Sequence, residues 1–287
     1  MHGADPSAPA AGSPEHRRLL ALIRKRAPTG LFRLKRLLTR RQCHRIVHAL
    51  LAPHRLSRIG NLLRYLRGRG RRAEPDYAPP LVFVDANSKC NLRCPGCVTG
   101  LGLAQRRPHA DGGLLRSVAD QVAPTALQIA YYHLGESLLN PAVFDAIAHA
   151  RSRGLWTVVS SHLSLDRPDL AERLVGSGLH DLLVSCDGAT QATYGRYRRG
   201  GELDRVLANI RAIRAWRRRL GRLTPWVRAK MIVFEHNWHE AEAFVALMRA
   251  NGADEVQFAE GHGDESFRTG EIARSEERRV GKECPSP

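Results

Sequence analysis

The chain has 287 residues, 43% of them hydrophobic, so it can bury the core of one large α/β domain with an appendage. Residues 1–80 hold 18 Lys and Arg against 4 Asp and Glu, which places +14 of the formal net charge of +17 in this region. No apolar run approaches the roughly 18 residues of a membrane span, and the first residues lack the charged-then-apolar order of a signal peptide. These properties exclude a membrane-spanning protein and predict a cytoplasmic one.

The N-terminal region divides into two stretches. Residues 1–18 are rich in Ala, Pro, Gly and Ser, a composition typical of disorder. Residues 19–79 are expected to form a basic amphipathic helical region and a linker, because apolar residues recur at helical spacing opposite Arg and Lys. Such a region can be a solvated layer against the main domain or can lie on an anionic membrane surface. Nucleic-acid binding is not expected, because few aromatic residues are interleaved with the basic ones.

From residue 80 onward, short apolar strands alternate with helical segments. This alternation predicts a parallel sheet, but periodicity leaves open whether the sheet is doubly wound or curled into a partial barrel. In both folds the chemistry lies at the C-terminal ends of the strands. The six predicted strands cover residues 81–86, 127–132, 155–160, 181–185, 227–234 and 255–259.

Three of the six cysteines fall within eight residues, directly after the first predicted strand. In VDANSKCNLRCPGCVTG they are Cys90, Cys94 and Cys97, spaced C-x3-C-x2-C, and the other cysteines are isolated, which does not indicate a disulfide framework. Three thiolates leave a tetrahedral zinc site incomplete. A 4Fe–4S cluster held by three cysteines leaves one iron open to a small molecule. An iron–sulfur cluster is therefore predicted, with zinc as the alternative.

The motif and its place after the first strand resemble the radical S-adenosylmethionine (radical SAM) superfamily, over about residues 80–260. The resemblance implies an α/β fold in which residues 80–273 form a partial (β/α)6 TIM-like barrel. It implies an enzyme whose reduced 4Fe–4S cluster cleaves S-adenosylmethionine to a 5′-deoxyadenosyl radical that abstracts hydrogen from a substrate. The implied partners are a peptide, sugar or small-metabolite substrate and an electron donor such as flavodoxin or ferredoxin.

Further segments of the same family imply the cofactor contacts. YYHLGESLLNP is similar to the family's G-G-E-P segment, so Gly135 and Glu136 are expected to hold the methionyl ammonium. Ser161, in VSSHLSL, stands where many members have a T-N-G turn, so it is expected to contact the cofactor. VSCDGATQATYGRYRRGG is similar to the S-I-D-G segment of members with a SPASM or twitch extension. That likeness implies a cofactor contact for Ser185 and a place in the cofactor site for Asp187. No catalytic side chain is assigned.

Two features depart from the family pattern. Gly96 stands where an aromatic residue often packs on the adenine, so the adenine contact is expected from elsewhere. A cysteine-rich C-terminal extension is missing, and RSEERRVGKEC resembles a translated sequencing adapter, so we expect residues 274–287 to be an artefact and the chain to be a C-terminally truncated fragment. The competing hypothesis is a non-catalytic iron–sulfur or zinc-binding module with a membrane- or nucleic-acid-anchoring N-terminus.

Overall fold

The computed structural model describes residues 40–68, 75–105 and 107–260. Six parallel strands form one sheet in chain order, each paired with the next. Within the described ranges the first and last strands do not pair with each other, so the sheet is a curled but unclosed barrel of the expected α/β class. The strands are β1 (Leu81–Phe83), β2 (Gln128–Ala130), β3 (Trp156–Ser161), β4 (Asp181–Ser185), β5 (Trp226–Val233) and β6 (Glu255–Glu260).

Helices precede the sheet and connect its strands. Their bounds are α1 (Arg40–Leu51), α2 (Arg55–Gly68), α3 (Gly112–Val122), α4 (Val143–Ser152), α5 (Leu170–Gly176), α6 (Gln191–Tyr197), α7 (Leu203–Arg219) and α8 (Ala241–Asn251). The sequence did not predict α3, because its two initial glycines are typical of a loop. The Asp111 carboxylate caps this helix by accepting hydrogen bonds from Gly113 N–H at 2.7 Å and Leu114 N–H at 3.2 Å.

The two faces of the sheet have different surroundings. On β5, Val227, Ala229 and Met231 are buried in the main core, which packs the sheet against the outer helices. Arg228 and Lys230 lie on the opposite face and are half-exposed, because this face lines the open interior of the barrel. We call that interior the lumen.

The described part of the basic region packs against the barrel. The Arg41 guanidinium donates to the Asp181 carboxylate at 2.8 and 3.0 Å, which joins α1 to the start of β4. Arg58 of α2 is 3% exposed and donates to the carbonyls of Ala123 at 2.7 Å and Arg153 at 2.8 Å, beyond the C-terminal ends of α3 and α4. Residues 40–68 therefore form a helical layer on the barrel.

Other expectations lie outside the described residues. The disorder of residues 1–18, the helical character of residues 19–39 and the artefact at residues 274–287 stay predictions. Among the helices that the structure describes, none combines the length and the apolar character that crossing a membrane would require.

His48 of α1 packs against His180 at the floor of the lumen. The ring centroids of His48 and His180 are 4.5 Å apart, and His180 stacks on Trp156 at 4.3 Å. His180 Nδ1 accepts a hydrogen bond from the Thr157 N–H at 3.1 Å, which places the proton of the neutral ring on Nε2. Burial lowers the pKa of His48 to about 4 and that of His180 to about 2.

Acidification from about pH 7 to about pH 5 is expected to lower the Tm, because both imidazoles take up protons more readily in the unfolded chain, where their pKa is about 6.5. Their stabilisation is complete above that value and is lost as the pH falls, down to about 4 for His48 and down to about 2 for His180. The loss is at most about 1.4 kcal/mol per pH unit for His180, which is 0% exposed, and smaller for the screened His48. A His180→Phe variant should show a flatter Tm-against-pH curve. His109→Asn, which changes an exposed histidine, should keep the wild-type slope, and equal slopes for both variants would contradict the assignment.

Candidate metal and cofactor site

The three cysteines of the loop after β1 lie together at the C-terminal edge of the sheet. Cys94 is 5% exposed and shares an apolar cluster with Tyr197 and Phe234, and Cys90 and Cys97 pack against that cluster. A 3.2 Å hydrogen bond from the Cys97 N–H to the Cys94 carbonyl closes the turn between the last two cysteines. All three are free thiols. The loop therefore brings the three predicted ligands to one apolar site.

Three cysteines that lie together on one loop fit an iron–sulfur cluster with one iron left open, since a tetrahedral zinc site would need a fourth ligand. A zinc ion would draw every sulfur to about 2.3 Å from a single centre, whereas the cysteines of an iron–sulfur cluster bind different irons and stand further apart. Burial raises the pKa of the Cys90 thiol to about 12 and also raises that of Cys94, so iron binding must displace protons.

The turn after β2 is held against the cysteine loop by backbone contacts. Gly135 has a φ of +66°, and a Cβ there would lie 2.3 Å from the Asn87 carbonyl oxygen and 2.8 Å from that of Lys89. The Glu136 N–H donates to the Lys89 carbonyl at 2.8 Å, and Asn87 Nδ2 donates to the Glu136 carbonyl at 2.9 Å. The Gly135 N–H also donates to Thr99 Oγ1 at 3.3 Å. Glycine is needed at position 135 because any side chain would push the two segments apart.

The Glu136 side chain links the turn after β2 to the end of β3. It is 2% exposed, its Oε1 accepts from the Leu138 N–H at 3.2 Å, and its Oε2 accepts from the His162 N–H at 3.1 Å. His162 Nδ1 accepts from the Ser164 N–H at 3.0 Å, so the ring proton lies on Nε2, which is 2.9 Å from Asn91 Oδ1 and 3.2 Å from Glu136 Oε2. Burial lowers the pKa of His162, which favours the neutral ring. These contacts fix the Glu136 carboxylate close to the residue that follows the first cysteine.

The two predicted serines are placed differently. Ser161 is 3% exposed, and its Oγ accepts from the N–H of Leu163, whose φ is +57°. Its hydroxyl therefore supports an unusual turn after β3. Ser185 ends β4, is half-exposed, and has no side-chain hydrogen bond among the described residues. Of the two, Ser185 has the hydroxyl that is free to bind a ligand.

Asp187 is fully buried, and both of its carboxylate oxygens are engaged. Oδ1 accepts from the Ile232 N–H at 2.6 Å, and Oδ2 accepts from Arg198 Nε at 2.5 Å. Arg198 in turn places Nη1 3.8 Å from the Cys94 sulfur. Burial would lower the pKa of Arg198, but the Asp187 carboxylate outweighs that effect and raises it. Asp187 thus positions the Arg198 cation beside the cysteine loop. A direct contact between Asp187 and the cofactor stays a prediction.

Several supporting residues were not predicted from the sequence. Asn87 and Thr99 hold the turn after β2 through the hydrogen bonds given above. A Cβ on Gly96 would lie 2.9 Å from the Tyr197 hydroxyl, so the phenol fills the space that the motif leaves empty, and the Phe234 ring centroid is 4.5 Å from that of Tyr197. Nothing in the sequence distinguishes these polar and aromatic residues from others near the motifs. For Tyr197, the absence of a side chain at position 96 was the one indication that another aromatic residue fills that space.

No protein-family model matches the chain. The chain is 29% identical over 138 residues to the AdoMet-dependent heme synthase of Methanosarcina barkeri, covering 48% of this chain and 40% of that protein. It is 28% identical over 186 residues to the PqqA peptide cyclase of Xanthomonas campestris pv. campestris, covering 63% of this chain and 47% of the relative. The chain thus spans about half the length of the curated relatives it matches.

Solved structures share the fold. Streptococcus suis SuiB bound to S-adenosylmethionine has a TM-score of 0.57 and 13% identity, with 71% of this chain and 46% of SuiB covered. Native anSMEcpe with bound AdoMet has a TM-score of 0.53 and 15% identity, with 66% of this chain and 55% of that chain covered. The cysteine loop stands after β1 of a six-stranded parallel sheet. By sequence the chain is similar to an AdoMet-dependent synthase and a peptide cyclase, and its fold is that of structures solved with S-adenosylmethionine bound, which agrees with the radical SAM resemblance of its motifs.

Proposed function

We propose that the chain is the core of a radical SAM enzyme that abstracts hydrogen from its substrate. The main support is one arrangement: three free cysteines on the loop after β1, held by backbone hydrogen bonds against the turn that carries Gly135 and Glu136. A module in which the metal is only structural would not need a buried carboxylate and a buried arginine beside the cysteines. The relatives agree with this proposal, since one is an AdoMet-dependent heme synthase and SuiB has been solved bound to S-adenosylmethionine.

Cys90, Cys94 and Cys97 would hold a 4Fe–4S cluster. When bound and reduced, the cluster supplies the electron that splits a carbon–sulfur bond of S-adenosylmethionine. The protein contributes an apolar enclosure around the thiols and a guanidinium near Cys94, which favours the thiolate form that iron requires.

The charged groups of S-adenosylmethionine would pair with oppositely charged side chains of the site. Glu136 offers a carboxylate to the methionyl ammonium, and the Arg198 guanidinium faces the same loop, where it would attract the methionyl carboxylate. Ser185 would add a hydroxyl from the end of β4, and Ser161 would stay behind the site as a turn residue. The Tyr197 and Phe234 rings would provide the adenine contact that Gly96 cannot make.

The substrate is proposed to be a peptide or a small metabolite. One relative is a PqqA peptide cyclase, and SuiB has been solved bound to the precursor peptide SuiA. A one-electron donor of the flavodoxin or ferredoxin type would reduce the cluster. Three thiols that stay free require a reducing compartment, so we place the protein in the cytoplasm.

The test is anaerobic reconstitution with iron and sulfide, followed by dithionite and S-adenosylmethionine and quantification of 5′-deoxyadenosine. We expect about four irons per chain and product formation. The Cys94→Ala variant should give only background product, whereas Cys186→Ala, which removes a buried thiol of the main core, should stay active. Stoichiometric zinc without any consumption of S-adenosylmethionine would instead establish a structural metal module.

We also propose that α2 touches an anionic membrane surface. Leu56, Ile59, Leu63 and Leu66 form an exposed stripe at helical spacing, 46–78% exposed, and exposed Arg64 and Arg67 flank it. The full chain should co-sediment with vesicles that contain anionic lipid and be released by salt. If equal amounts of protein co-sediment with purely zwitterionic vesicles, or if the protein binds nucleic acid but not vesicles, α2 is not a site for an anionic membrane.

A further inference from the structure

A lysine lies in the lumen of the barrel, between its floor and the cysteine loop. Along β5, Ala229 and Met231 are buried against the outer helices, while Lys230 and Ile232 are half-exposed on the lumen side. Ile232 packs against the cysteine cluster, and Trp226 at the start of the strand packs among the floor residues. Two residues of strand span about 6.6 Å, so Lys230 stands one such step below the cysteine site.

The charged neighbours of Lys230 are committed to other partners. Asp187 is bound by Arg198, and Arg228 Nε lies 3.5 Å from the Asp181 carboxylate. In the part of the chain that the structure describes, Lys230 makes no ion pair and no side-chain hydrogen bond. Burial lowers its pKa, the Asp187 carboxylate opposes this, and the two arginines add to it. The lumen at this level therefore carries an excess of positive charge.

The surroundings of Lys230 combine polar and apolar groups. Ser185 on β4 and Gln257 on β6 are its register partners, so three polar side chains form one row across the sheet. Tyr132, which follows β2, meets Phe83 edge-on at 5.5 Å on the other side of the lumen. A few convergent polar groups beside aromatic side chains are typical of small-molecule sites.

We propose that Lys230 is an anion subsite for the substrate, binding a carboxylate or phosphate group in the lumen below the cysteine loop. The inference rests on the proposed function, because the occupant is the molecule whose hydrogen is abstracted. A partly desolvated ammonium that makes no ion pair with any of the described residues gains charge-assisted hydrogen bonds from such a group. The carboxylate of S-adenosylmethionine has another cation in Arg198, whose Nη1 is 3.8 Å from the Cys94 sulfur, so Lys230 is left for a second molecule.

The test is lysine footprinting of the reconstituted protein by reductive methylation and mass spectrometry. The sequence has only five lysines, and exposed Lys89 serves as an internal reference in every sample. Labelling is compared in chloride, inorganic phosphate and succinate at constant ionic strength, each with and without S-adenosylmethionine. Phosphate and succinate represent the two possible anion classes. Arg116→Gln, which removes an exposed charge far from the lumen, is the matched variant for non-specific charge effects.

We expect phosphate or succinate to slow the labelling of Lys230 about tenfold at about ten times its dissociation constant, with Lys89 unchanged and the same protection in Arg116→Gln. Which anion protects identifies the substrate group. Equal Lys230 labelling in all three salts would overturn the subsite, and so would full protection by S-adenosylmethionine alone. The footprint does not require turnover, so the two hypotheses can fail separately. If S-adenosylmethionine is cleaved but no anion protects Lys230 from labelling, only the subsite is rejected. If an anion protects Lys230 but S-adenosylmethionine is not cleaved, only the proposed function is rejected.

Discussion

Replacing Gly135 by alanine is expected to separate the cysteine loop from the turn after β2 and to abolish iron binding. The new Cβ would lie 2.3 Å from the Asn87 carbonyl oxygen, and the φ of +66° disfavours any L side chain by about 1–2 kcal/mol. Moving the segments apart also breaks the hydrogen bonds that link Glu136 to Lys89 and Asn87, each of which contributes about 0.5–1.5 kcal/mol. The expected loss is about 3 kcal/mol, or about 6–12 °C in Tm. Iron per chain and Tm after reconstitution measure both effects.

Substitutions at two glycines of the cysteine loop distinguish the effect of backbone strain from the effect of steric contact. Gly102 also has a positive φ, +74°, but a Cβ there meets nothing within 4 Å, so Gly102→Ala should lose only about 1–2 kcal/mol and keep its iron. Gly100 has no left-handed φ, yet its Cβ would lie 2.5 Å from the Cys94 carbonyl oxygen, so Gly100→Ala should lose iron. If Gly135→Ala behaves like Gly102→Ala, the close approach of the two segments is not required for the cluster.

The sheet could be predicted because short strand-like segments alternate with helical ones along the chain. The bounds of β4 were predicted as observed, since its apolar centre lies between a helix that ends and a turn that begins. The first two strands, β1 and β2, were predicted as six residues each but are three residues long. Their C-terminal halves are apolar enough to be assigned to strand, yet they leave the sheet to form the loops that carry the site.

Only those site residues that belong to short sequence motifs could be predicted. The cysteine loop and Gly135 with Glu136 depend on short spacings, and the structure places them in contact. The partners of Asp187 could not be predicted, because its hydrogen bond to the Ile232 N–H joins residues 45 apart in the sequence. His162 likewise meets Asn91 across 71 residues. Such contacts arise from the curl of the sheet, which brings the ends of separate strands to one edge and leaves no trace in any single segment.

Replacing Asp187 by alanine is expected to destabilise the protein by about 3–5 kcal/mol, because it leaves the Arg198 charge buried without its partner. The Arg198 side chain is 13% exposed, so water screens the freed charge only weakly. The Ile232 N–H loses its acceptor as well. The Tm should fall by about 10 °C or more, measured by thermal unfolding of the apo and reconstituted forms. A fall of only about 2 °C would mean that the pair does not support the fold.

A double variant distinguishes support of the fold from a role in the chemistry. Asp187→Asn with Arg198→Met removes both charges, and the asparagine carbonyl can still accept from the Ile232 N–H. Replacing both members of a buried pair is often neutral, so this variant should regain most of the stability that Arg198→Met alone loses by leaving Asp187 unpaired. It should bind iron but form little 5′-deoxyadenosine, since the cation that would attract the cofactor carboxylate is gone. Wild-type product formation by the double variant would show that Arg198 only neutralises Asp187, and the cofactor's carboxylate would then have to bind elsewhere.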